Sequence, residues 1–195
     1  MIRHNPLVRT ALAASVIALA GVSLGAAATA SAAPKAASSY SCHGKTVTIL
    51  GTTGHDEIEG TAGNDVIFAL AGNDEIDGNG GNDVICGGSG NDEIDGGSGN
   101  DWISGGIGRD EISGDGGNDR LYGNDGADEI DGDSGNDSIR GGTGNDELEG
   151  SAGRDTIRGD SGNDKIEGGS GKDKLSGGSG RDRIYANEHH SGDDD

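Results

Sequence analysis

Gly87-Gly88-Ser89-Gly90-Asn91-Asp92-Glu93-Ile94-Asp95 runs directly into Gly96-Gly97-Ser98-Gly99-Asn100-Asp101-Trp102-Ile103-Ser104. The two nine-residue units place Gly, Asp and Ile in the same order, and the register continues outward without insertion or deletion from Gly51 to Tyr185, making fifteen units. The fourth position is Gly and the sixth is Asp in all fifteen. The eighth is Ile twelve times and Leu three times (Leu121, Leu148, Leu175), and the first is Gly except at Ala69.

Each position has a physical reading. The first six residues form a turn, tight and left-handed in places, where a Cβ fits poorly and Gly dominates. Asp carboxylates and turn carbonyls are hard oxygen donors of the kind calcium selects. The seventh to ninth residues form a short strand, of which only the eighth side chain points inward. Two units then complete a coil of eighteen residues, and successive coils stack as parallel strands around a ladder of Ile with a column of turns on each side. Strands about 4.8 Å apart over seven and a half coils give a rod on the order of 36 Å long.

The repeat Gly-Gly-x-Gly-x-Asp-x-apolar-x resembles the repeats-in-toxin, or haemolysin-type calcium-binding, nonapeptide. The resemblance implies an all-β fold, a right-handed parallel β-roll, with calcium held between one turn and the next on the same side. It implies as ligands the sixth-position carboxylates Asp56, Asp65, Asp74, Asp83, Asp92, Asp101, Asp110, Asp119, Asp128, Asp137, Asp146, Asp155, Asp164, Asp173 and Asp182, together with backbone carbonyls.

Composition agrees with a fold stabilised by ions. The 195 residues include 41 Gly, one Phe and one Trp, and carry a net charge of -21. So few apolar groups cannot offset chain entropy, and such a composition would ordinarily be disordered. Without the first 32 residues, 12 Lys and Arg face 35 Asp and Glu, a net of -23. Fifteen turns leave about 13 interior calcium sites, roughly +26 when filled, so the ions would neutralise the chain and couple binding to folding. Affinities of roughly 10⁻⁴ to 10⁻³ M per site suit an extracellular module.

The chain reads in four parts. Residues 1–32 form a signal peptide: Arg3 and Arg9 precede the apolar run Ala11 to Leu24, and Ala30-Ser31-Ala32 fits a small-x-small cleavage rule. The run has fourteen residues, short of the roughly 20 that span a bilayer, so the mature chain is expected to be secreted with no membrane span. Residues 33–50 form an N-terminal segment ending in a capping strand, Val47 to Leu50, with Ile49 in the register of the eighth position. Residues 51–185 are the repeats. Residues 186–195 form a polar tail whose His189 and His190 are read as solvated rather than liganding.

Odd and even units should face opposite ways. Odd units offer Glu57, Glu59, Glu75, Asp77, Glu93, Asp95, Glu111, Glu129, Asp131, Glu147 and Glu149, an acidic ladder. Even units run from Val66, Phe68, Val84, Cys86 and Trp102 to Arg120, Tyr122, Arg140, Arg158 and Lys174, from apolar to basic. Either the N-terminal segment folds back over the apolar part, letting a Cys42–Cys86 disulfide staple it in an oxidising compartment, or that patch receives a partner.

No catalytic constellation is present: there is no His-Glu-x-x-His, Gly-x-Ser-x-Gly or Gly-Lys-Ser/Thr motif. Accidental carboxylate pairs carry no weight in so acidic a chain, and its charge argues against nucleic acid. The expectation is a non-enzymatic calcium-binding roll with a structural or surface role. An adhesin binding polysaccharide or a cell surface is the alternative, and a hydrolase or toxin is disfavoured because nothing remains to host an active domain. The oligomeric state is left open.

Overall fold

A computed structural model describes residues 40–186. The expected signal peptide, the start of the N-terminal segment and the tail histidines lie outside the described residues. Among those described there is no helix, and hence none long and apolar enough to cross a membrane.

The repeats wind into a parallel β-roll whose strands pair at an interval of eighteen residues, as in Glu57↔Glu75 and Val66↔Val84. Odd units form one eight-stranded sheet, from Glu57–Glu59 to Arg183–Tyr185. Even units form the other, which opens with Ile49–Leu50 and closes with Lys174–Ser179. Between them the eighth-position side chains from Ile58 to Ile166 make one continuous buried ladder, and register places Ile49 beside Ile67 at its start. A rung of one aliphatic side chain per unit is thin, so packing alone stabilises each coil weakly.

The two sheets are not equivalent. Strands of odd units have three residues, whereas those of even units, such as Trp102–Ile107, run six residues into the following turn. The expectation of a three-residue strand in every unit therefore holds on one face only. The turns that continue these longer strands carry Ile107 and Thr143 at their third positions, where the opposite column has Gly80 and Gly116, and β-branched residues favour extended backbone. The opposite column forms its own narrow ladder of bridges, Gly80↔Ser98↔Gly116↔Ser134, continued by Ala152–Gly153 and Ser170–Gly171.

Only Ile49–Leu50 of the expected capping strand is a strand; Val47 is buried before it. Ahead of it, Ser41–Cys42 and Lys45–Thr46 form an antiparallel hairpin. Its two-residue loop, His43-Gly44, has positive φ at both positions, the geometry that matches hairpin twist. The hairpin lies over the apolar end of the even sheet. Cys42, Val47 and Val84 are buried there against Tyr40, Leu50, Val66, Phe68, Cys86 and Trp102. His43 stacks on Trp102 at 4.1 Å and Tyr40 meets Phe68 edge-on at 6.3 Å. A disulfide joins Cys42 to Cys86, with Cα atoms 6.0 Å apart. Of the two alternatives for this patch, the structure shows cover by the chain itself.

Candidate metal centre

Strand register decides where the sixth-position Asp residues go. Each precedes its strand by one residue, so in every unit the carboxylate turns into the roll's edge at the same height as its neighbours eighteen residues away. Those from Asp74 to Asp164 are almost fully buried, for example Asp119 at 1 % exposure. Asp56, Asp173 and Asp182, near the ends, are half-buried.

One oxygen of each carboxylate is committed to the chain. The backbone N–H of an Asp donates to Oδ1 of the Asp one coil later, from Asp56 onto Asp74 at 2.9 Å through Asp101 onto Asp119 at 2.7 Å to Asp164 onto Asp182 at 3.2 Å. The other oxygen is not. Oδ2 of Asp74, Asp83, Asp92, Asp101, Asp110, Asp119, Asp128, Asp137, Asp146, Asp155 and Asp164 is buried with no hydrogen-bond donor. Each such group costs about 1–3 kcal/mol, and more when charged. Eleven of them exceed the roughly 5–15 kcal/mol by which a domain is normally stable.

Carbonyl oxygens converge on the same points. A Cβ placed on Gly78 would lie 2.9 Å from Oδ2 of Asp83 and 2.5 Å from the carbonyl oxygen of Gly96. On Gly150 it would lie 2.7 Å from Oδ2 of Asp155 and 2.8 Å from the Gly168 oxygen. First-position Gly thus leaves a small space faced by a carboxylate and by the next coil's carbonyl; its φ is not positive, so space rather than backbone conformation is the reason for Gly there. Positive φ falls instead on the second residue of each unit, from Leu70 to Gly178, and on most fourth-position Gly, such as Gly117. Ala69, the one first-position residue with a side chain, is fully buried.

Among the described residues no three His, Cys, Asp or Glu side chains gather as a metal site. A cation between these turns must therefore draw on carbonyls as well as carboxylates, the donor set of calcium rather than of zinc or copper. Burial dominates the electrostatics. It raises the carboxyls of Asp110 and Asp119 to about 7 and those of Asp101, Asp137 and Asp146 to about 6, partly opposed by the backbone N–H bond and reinforced by neighbouring Asp residues. Bare carboxylates are disfavoured in these positions, and a cation restores the charged form.

Two features were not read from the repeat. Asn at the fifth position builds a second ladder, its Oδ1 accepting the N–H of the residue one coil later, as in Asn82 onto Asn64 at 2.7 Å and Asn118 onto Asn100 at 2.9 Å. The recurrence of Asn before Asp was the signal for it. Thr52 and Thr61, at second positions, bond to their own units' Asp side chains.

On the acidic sheet, Glu93, Glu111 and Glu129 face one another in register, and relief comes late, where Lys165 pairs with Glu147 at 2.6 Å and Glu167 at 3.0 Å. Arg109 reaches Glu129 at 3.8 Å.

No curated protein matches the chain. The profile of the RTX calcium-binding nonapeptide repeat does, in overlapping copies over residues 50–85, 78–112, 87–121, 104–139, 113–148, 122–157, 140–175, 149–184 and 167–189. The matched span is well over half of the sequence and coincides with the coils that carry the buried Asp ladder, so the chain belongs to the family of RTX calcium-binding nonapeptide repeats and is a calcium-binding β-roll.

Proposed function

We propose that this protein is an exported roll whose folding is coupled to calcium, with the sixth-position Asp residues as side-chain ligands and a structural role outside the cell. The observation that carries the reading is the set of eleven buried Oδ2 atoms without donors. Bound calcium supplies concentrated positive charge and accepts lone pairs from hard oxygens. The chain's residues do the rest: the Asp N–H ladder orients each carboxylate, first-position Gly keeps the space open, and the Ile ladder fixes coil spacing. Export rests on the reading of residues 1–32 as a signal peptide, and it would delay folding until calcium is met outside. Far-ultraviolet circular dichroism of residues 33–195 tests the coupling. A reversible change from disordered to β-rich with calcium, absent with magnesium, is expected. A spectrum already β-rich in chelator would refute it.

An adhesive role has one observation in its favour. Arg120, Arg140, Arg158 and Lys174 form an exposed strip on the even sheet, and no described acid lies within ion-pair distance of them. Retention on an acidic polysaccharide resin in calcium, lost on charge reversal of Arg140 and Arg158, would support it; passage through the resin would count against it.

A further inference from the structure

The roll has seven spaces between successive turns in the column before odd strands and six in the other column. In eleven of these thirteen the enclosed Oδ2 is an orphan, beginning with Asp74 in one column and Asp83 in the other. The two exceptions are both in the first coil. Oδ2 of Asp56 accepts the Thr52 N–H at 2.7 Å and the Thr52 hydroxyl at 3.0 Å. Oδ2 of Asp65 accepts the Thr61 N–H at 2.7 Å and its hydroxyl at 2.8 Å. Each hydroxyl in turn accepts a backbone N–H, that of Gly54 at 3.2 Å or Gly63 at 3.1 Å, so each threonine closes its turn upon itself.

The backbone changes with the bonding. In every later unit the second residue has positive φ, which aims its N–H away from the carboxylate; Thr52 and Thr61 do not. A hydroxyl at that position is not sufficient. Ser151, also second in its unit, has φ +61° and donates to Asp131 at 2.8 Å, while Oδ2 of Asp155 in the same turn stays without a donor.

We infer that the first coil, residues 51–68, is closed by its own threonines in place of calcium, so that the folded roll takes up eleven ions rather than one in each of thirteen spaces. The N-terminal hairpin covers this coil at Val66 and Phe68, and it is fixed there by the disulfide to Cys86 of the second coil and by His43 stacking on Trp102 of the third. The first coil is thus the part of the roll that holds together without metal and offers the first edge on which later coils stack. The inference rests on the calcium reading above.

Two measurements on residues 33–195 test it. Ion content of the folded protein after equilibrium dialysis against calcium is expected to be eleven per chain, rising to thirteen in Thr52→Gly/Thr61→Gly, because Gly allows the positive φ of the other turns. Thirteen ions in the unaltered chain, or an unchanged count in the variant, would overturn it. Hydrogen exchange in chelator is expected to leave the Thr52, Gly54, Thr61 and Gly63 amides protected while those beyond the third coil exchange freely. Free exchange at all four would overturn it. A protein that takes up no calcium refutes the preceding reading instead, and the exchange result then decides this one alone.

Discussion

Replacing Asp119 by Asn tests the site at its centre with little change of shape. The Asp119 side chain is 1 % exposed; its Oδ1 accepts the Asp101 N–H at 2.7 Å, a bond that Asn retains. What is lost is the charge on Oδ2, replaced by a neutral amide. Removing one partner of a buried charge interaction costs about 4 kcal/mol. Because folding and uptake of ions are one event, that cost is shared among the eleven carboxylate-lined spaces. At about 1.4 kcal/mol per tenfold, each ion must then be supplied at roughly twice the concentration, so the calcium midpoint rises about twofold. In chelator the sign reverses, since the variant buries one bare charge fewer. The assay is circular dichroism against free calcium, with Glu111→Gln as control. Glu111 is exposed between Glu93 and Glu129, so its neutralisation should leave the midpoint unchanged or lower it. An unaltered midpoint for Asp119→Asn, or an equal rise in the control, would refute the assignment of the buried carboxylates.

Acidity should act in opposite directions with and without metal. Burial raises the carboxyls of Asp110 and Asp119 to about 7 in the metal-free fold, so folding takes up protons. The metal-free roll therefore gains stability as pH falls from above 7 toward 4 and loses it as pH rises through that window. Circular dichroism in chelator should show β-structure growing on acidification, while the calcium midpoint below pH 7 should climb as protons compete. Gly117→Ala should destabilise the roll by about 2–6 kcal/mol, because its φ is +142° and the new methyl would overlap the Gly99 carbonyl. Gly116→Ala, with only Ser134 Oγ at 3.7 Å, should be close to neutral in the same calcium titration. Cys42→Ser/Cys86→Ser opens a loop spanning 44 residues and should cost about 4 kcal/mol, read as a loss of chelator-resistant exchange protection in the first coil.

The nine-residue period was sufficient for the architecture because a solenoid makes nearly all its contacts between residues one coil apart. Asp at every sixth position and an apolar residue at every eighth determine which side chains point inward, and pairing at eighteen-residue intervals follows from two units per coil. The cover over Val84 and Trp102 was legible only as an alternative. Its choice depends on the His43-Gly44 turn and the reach of Cys42, where no repeat supplies the register. The inequality of the two sheets was not legible, since the third-position residues that accompany it, such as Ile107 and Thr143 against Gly80 and Gly116, lie outside the consensus.

The sequence by itself determined a coil of two units, an Ile ladder inside and an Asp in every turn, because a strict period repeats one local geometry fifteen times. Only the tertiary structure decided which oxygen of each carboxylate is free. That depends on the φ of a residue four positions earlier and on a carbonyl from the next coil, and Thr52 and Leu70 occupy the same place in the repeat yet take opposite signs of φ.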